Sequence, residues 1–152
     1  MKPKILTLIS LTLLASLLIG AFAFTAFAPK PELKLKVKWK PAAYTTDSWA
    51  PDPWIAEIFF APPRPVETIN PSTILLEGIY SPSAPPYHSP SKERLEVPFN
   101  GWDVVAALYT KAPHMNPGNY LVWLEITGNL NDGTLFRGSG CINMTIPEGS
   151  PP

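Results

Sequence analysis

Cysteine is nearly missing from this chain: Cys141 is the only one in 152 residues. One thiol cannot build an internal disulfide framework, and it excludes a cysteine-rich zinc site. Charge is sparse too. Twelve basic and twelve acidic side chains make up 16% of the residues and leave a formal net charge of zero. Without a basic surplus the chain is no candidate for nucleic-acid binding, which depends on Lys and Arg neutralising phosphates. Carboxylates are scattered rather than paired, and His88 and His114 are the only histidines. Proline is what the sequence has in excess, at 20 residues. It disfavours long helices and suits short strands joined by loops. The length leaves room for one domain.

One long apolar run stands out. Lys2 and Lys4 precede Ile5–Ala28, which no charge interrupts and which ends in the small-x-small triplet Ala26-Phe27-Ala28. A basic start, an apolar centre and such an ending fit a secretory signal peptide. The run also exceeds the roughly 20 residues that span a bilayer. Residues 1–28 are therefore expected to be a signal peptide or an N-terminal transmembrane anchor, with 29–32 as a short linker. Lys30, Lys34, Lys36, Lys38 and Lys40 follow the segment and outnumber the lysines before it. Counted alone, they favour a cytoplasmic domain. The strand alternation of those lysines and the sequon Asn143-Met144-Thr145 favour the outside, with Asn143 as a candidate glycosylation site. The expected location is the cell surface or the extracellular space.

Leu33–Lys40 alternates without a fault, Leu33, Leu35, Val37 and Trp39 on one side and four lysines on the other. That period of two marks a half-buried strand. Lysines along a strand discourage edge-to-edge pairing. The same four apolar residues make the strand a candidate donor to the sheet of a neighbouring copy. Its lysines could also meet anionic lipid headgroups. Further strands are expected at Trp54–Phe60, Pro71–Tyr80 and Glu93–Phe99, with loops at Pro41–Pro53 and Ser81–Ser91. Asn100 can cap a short helix from Gly101 to about Tyr109, with Asp103 near its positive end.

The strongest pattern is Asn119–Ile146. Val122, Leu124 and Ile126 alternate with Leu121, Trp123 and Glu125, and Asp132-Gly133 supplies a hairpin turn that calls for positive φ. On the return strand Phe136, Ile142, Met144 and Ile146 share one face. Arg137, Ser139, Cys141, Asn143 and Thr145 share the other. Gly138 and Gly140 signal a bulge or a close backbone approach.

Three stretches together resemble an immunoglobulin-like module of archaeal and bacterial surface and secreted proteins: Asn70–Gly78 (NPSTILLEG), Phe99–Leu108, and Thr127–Ser139 (TGNLNDGTLFRGS). The resemblance covers roughly Trp54 to Ile146. Glu77 departs from the pattern, which has Asn there, and so do Cys141 and Asn143 in the last strand. The resemblance implies a β-sandwich and transfers no catalytic residue. The expected fold is all-β: an immunoglobulin-like sandwich of about seven strands with one short helix over 33–147, preceded by the signal or anchor helix and followed by a disordered tail at 148–152.

Chemistry gives less. Calcium at Asn129, Asn131 and Asp132 would have one carboxylate, too few for a site that wants six or more oxygens. Copper at His114, Met115 and Cys141 lacks the His and Met expected just after the Cys, where only Met144 follows closely. No Gly-x-Ser-x-Gly elbow is present. No enzyme, cofactor or metal is expected. Cys141 is a candidate intermolecular disulfide, linking a homo-oligomer or another surface protein. Trp49, Trp102 and Trp123 are candidate ligand-stacking rings. The expected function is a cell-surface structural or interaction protein, self-assembling by strand addition. A carbohydrate- or ligand-binding extracellular domain is the alternative. If uncleaved, residues 5–28 make the membrane a partner.

Overall fold

The computed structural model describes residues 32–59, 68–89, 93–112 and 116–149. The apolar segment Ile5–Ala28, Lys30, His114, Met115 and the last three residues of the tail lie outside these. Contacts divide the chain after Lys30, and every described residue belongs to the unit that begins at Pro31. Among the described residues no helix is long and apolar enough to cross a membrane.

The elements run β1 (Leu33–Lys40), β2 (Ala43–Thr45), β3 (Trp54–Phe59), β4 (Ile69–Leu76), β5 (Tyr87–His88), β6 (Arg94–Phe99), α1 (Gly101–Lys111), β7 (Gly118–Leu130) and β8 (Leu135–Ile146). The described residues fold as expected in being mostly β with one short helix. The described residues hold eight strands rather than about seven, because β2 and β5 lie inside Pro41–Pro53 and Ser81–Ser91. At three and two residues they are too short to carry a periodic signal.

All eight strands belong to one hydrogen-bonded sheet, in the order β4-β7-β8-β1-β3-β6-β5, with β2 also on β8. β1 is the junction. Its first half, Leu33–Lys36, pairs parallel with Phe136–Ser139 of β8. Its second half, Lys36–Lys40, pairs antiparallel with Phe59–Ile55 of β3. After Pro41 the chain rejoins β8, with Ala43–Thr45 parallel to Asn143–Thr145. The sheet curls about this junction. Tyr44, from the β8 side, meets Trp54 of β3 edge-on at 5.6 Å between ring centroids. Trp39 lies 6.0 Å from Phe99 of β6. Both halves of the sheet and the inner side of α1 feed one apolar core, with Trp54, Ile58, Phe99, Leu108, Leu124 and Ile142 fully buried.

The two longest strands keep the expected alternation. Val122, Leu124 and Ile126 are buried and Leu121 and Trp123 exposed; Phe136, Ile142, Met144 and Ile146 are buried and Arg137, Ser139, Cys141 and Asn143 exposed. One detail of the hairpin differs from expectation, and a second chooses between two readings. Only Gly133 has positive φ, at 78°, because the turn is longer than a two-residue one. Leu130 N–H donates to the Thr134 carbonyl at 2.8 Å, and Asp132 Oδ1 accepts from Thr134 N at 2.8 Å. Gly138 and Gly140 mark no bulge, since β7 and β8 pair without a register shift from Gly118↔Ile146 to Asn129↔Leu135. They mark a close approach of β1 instead.

The bulge is in β4, between Asn70 and Leu75. Pro71 has no N–H for the ladder. Asn70 Oδ1 accepts from Ser72 N and Ser72 Oγ, and Thr73 Oγ1 both donates to the Asn70 carbonyl and accepts from Asn129 N, at 2.8 Å each. The Asn-Pro-Ser-Thr stretch is thus a strand irregularity whose lost ladder bonds are replaced by side chains.

Glu77, the departure from the family-like pattern, has φ 52°, a left-handed conformation that Asn tolerates better than Glu. Here its carboxylate accepts from Glu125 N at 2.7 Å and from Lys111 Nζ at 2.8 Å. It ties the end of β4 to β7 and to the last turn of α1. Glu77→Ala removes the acceptor from a backbone N–H and is expected to cost about 1–3 kcal/mol, read as a lower urea midpoint at constant slope. Asn100 caps α1 as expected, its side chain accepting from Trp102 N at 2.9 Å. The helix runs to Lys111, two residues past Tyr109, because Lys111 finds Glu77 at that end.

Candidate functional site

Opposed residues of two paired strands point to the same side of a sheet. On the outward side of β7 and β8 the opposed pairs are Leu121↔Asn143 and Trp123↔Cys141. Ala43 of β2 flanks Asn143 on its other side. Leu121 is 70% exposed and Trp123 57%, and Asn143, Cys141 and Ala43 are exposed. Three candidates that are far apart or adjacent only by chance in the sequence, Trp123, Cys141 and Asn143, therefore form one patch. Leu121 completes it. Its signal in the sequence is that β7 is apolar on both sides at Tyr120–Leu124, so a large apolar residue had to face away from the core.

Charge borders the patch without entering it. Farther along the same face Arg137 donates to Glu32 at 2.7 Å and to Glu125 at 3.2 Å. The Glu32 hydrogen bond and the two carboxylates hold its guanidinium above the ordinary arginine range. Lys34 and Lys36 of β1 extend this face beyond β8, opposite Arg137 and Ser139.

Elsewhere Glu57 and Glu96 hold strands together. Glu57 is buried although it faces away from the core; its Oε1 lies 2.6 Å from Lys40 Nζ and 2.9 Å from Arg94 Nε. Arg94 also reaches Glu96 at 3.0 Å, and the hydrogen bond between Glu96 and Tyr87 raises the Tyr87 hydroxyl pKa. This network runs across β1, β3, β6 and β5.

The other candidates fall elsewhere. Trp49 is 88% exposed and Trp102 63%. Both flank one junction, where Gly101 N donates to Asp52 Oδ1 at 3.3 Å and sits against Ala50 and Pro51. Trp102 belongs to the first turn of α1 and Trp123 to mid-β7, so the three rings do not form one platform. Leu33, Leu35, Val37 and Trp39 are inside the protein's own sheet, between β8 and β3. Asp132 has an oxygen engaged by Thr134 N, and no group of three His, Cys, Asp or Glu side chains that could hold a metal occurs among the described residues. His88 lies in β5, separated from Cys141 by β1, β3 and β6 in the sheet order.

No protein-family model, curated protein or solved structure matches this chain.

Proposed function

We propose that the chain is an exported or membrane-anchored cell-surface protein whose domain serves structure and interaction rather than catalysis. The carrying observation is the outward face of β7 and β8, where Leu121 and Trp123 stand exposed side by side on a rigid sheet. Large apolar groups clustered on a surface are what an association face requires. Glu125, next along β7 on the same face, is engaged with Arg137, and Glu77 with Lys111.

The fold proposed is an immunoglobulin-like sandwich. Its support is the strand order: β4-β7-β8 on one side, β3-β6-β5 on the other, and a first strand shared between them that runs parallel to the last. In an immunoglobulin domain the same grouping places strands C, F and G on one sheet and A, B, E and D on the other. Self-assembly by strand addition takes the form of exchange here, because β1 already fills the slot between β8 and β3. One copy would lend Leu33–Trp39 to its neighbour and receive the same in return.

Surface placement has a direct test. A membrane-impermeant amine reagent on intact cells is expected to modify Lys34 and Lys36, both exposed. Labelling only after lysis would sink the proposal. The second reading, a sugar-binding domain, is favoured by the paired exposure of Trp49 and Trp102 at one junction. It predicts a tryptophan fluorescence shift on adding glycans that Trp102→Ala removes; an unchanged shift would exclude this junction.

A further inference from the structure

We infer that Asn143 carries an N-linked glycan whose first sugars lie on Leu121 and Trp123 and close the face assigned above to association. The inference rests on the surface reading, since the modification requires export. Asn-Met-Thr is a glycan acceptor sequence, and here it sits where the sugar has something to meet. Asn143 is exposed, directly opposite Leu121 and diagonal to Trp123. Opposite side chains in a sheet are ~5 Å apart and diagonal ones ~7–8 Å, within reach of a sugar ring. A pyranose presents a flat face of C–H bonds that packs on an indole. Ala43 and Cys141 beside Asn143 are small and leave the ring room.

The transfer balances. Asn143 Nδ2 bonds to the anomeric carbon of an oligosaccharide carried on a polyprenyl phosphate or diphosphate lipid. The bond from that carbon to the phosphate oxygen breaks, the lipid phosphate leaves with the electron pair, and one amide proton passes to a base. Nothing is oxidised or reduced. Timing follows from the fold. Asn143 N donates to the Ala42 carbonyl at 2.9 Å, and Thr145 Oγ1, the hydroxyl that the acceptor sequence requires, donates to Asn119 Oδ1 at 2.8 Å. Both are engaged once β8 is paired, so the sugar is added before β8 docks between β7 and β2.

A glycan lying there also covers Cys141, the residue opposite Trp123. The modified protein therefore has this face closed and its thiol shielded. The unmodified one associates through Leu121 and Trp123, and its Cys141 is free to cross-link.

The full chain isolated from its native cells is compared with Asn143→Gln and Thr145→Ser made in the same cells. The peptide containing Asn143 is expected to be heavier by whole hexose or N-acetylhexosamine units. That mass is expected to vanish in Asn143→Gln and to persist in Thr145→Ser, which keeps the hydroxyl. Asn143→Gln is expected to elute larger at concentrations where the parent is monomeric, and its Cys141 to react several-fold faster with maleimide. An unmodified Asn143 in a protein whose Lys34 and Lys36 are labelled on intact cells overturns the glycan and leaves the surface reading standing. An unmodified Asn143 with lysines labelled only after lysis overturns both. A glycan whose removal changes neither elution nor thiol reactivity overturns its closing role.

Discussion

Trp54→Ala is expected to destabilise the domain by about 3–5 kcal/mol, the range for removing a large aromatic from a packed core. Trp54 is 0% exposed, opposes Phe99 across β3 and β6, and meets Tyr44 from the other half of the sheet. Its indole Nε1 donates to the Pro41 carbonyl at 2.8 Å. One substitution thus opens a cavity, removes the ring that bridges the two halves, and strips a carbonyl of its donor. Domains of this size are stable by only ~5–15 kcal/mol, so the loss is a large share of the total. Guanidinium unfolding followed by near-ultraviolet circular dichroism would measure it. Trp54→Phe keeps most of the ring and is expected to fall well short of the alanine variant. Trp49→Ala, the same change at an 88% exposed site, is expected to stay within ~0.5 kcal/mol. Equal losses at Trp49 and Trp54 would contradict the packing described for both.

Gly140→Ala is expected to destabilise where strand propensity alone would stabilise. Glycine in a strand costs roughly 0.5–1 kcal/mol relative to alanine, so an open site would gain from the change. At Gly140 an added Cβ would lie 2.7 Å from the Val37 carbonyl oxygen and 2.9 Å from Trp39 Cδ1. The first of these is backbone, held by the pairing of Val37 with Ile58. β1 would have to back away from β8, with an overpacking cost of about 1–3 kcal/mol. Urea midpoints would give the sign, and amide exchange would locate the loosening in Leu33–Trp39. Ser139→Ala, one residue away on the exposed side, is expected to change stability little. A gain from Gly140→Ala would mean that β1 does not approach β8 this closely.

Much of the fold was legible in the chain because its strands are half-buried and so alternate. β1, β6, β7 and β8 each announce themselves this way, β3 does so as a short apolar run, and Asn100 announces α1. What was illegible is short, or is set by tertiary contact. β2 and β5 have too few residues for a period, yet Tyr44 in β2 is a core residue. Gly138 and Gly140 carry a signal with two readings, and only the placement of β1 chooses between them. Glu77 looks like an unfavourable exception until Lys111 and the Glu125 N–H are seen around it. The candidate site was visible as separate residues and not as a site. Asn143, Cys141 and Trp123 each drew notice on its own chemistry, whereas their union depends on the register Leu121↔Asn143, which a turn length fixes and a composition does not. Trp49 and Trp102 show the converse: their exposure follows from lying in a loop and a first helical turn, but their common junction needed the contact of Gly101 with Pro51.

The parallel run of β1 along β8 has a mechanical consequence. Leu33 lies beside Phe136, while β8 continues to Ile146, so the domain begins and finishes at opposite poles. The ten steps between Phe136 and Ile146 amount to roughly 33 Å at ~3.3 Å per residue. A pull between those poles loads β1 and β2 lengthwise against β8, and their hydrogen bonds must give way together rather than one after another. Such an arrangement resists stretching far better than a hairpin peeled from its end. A domain wired this way can carry tension between its two poles without opening.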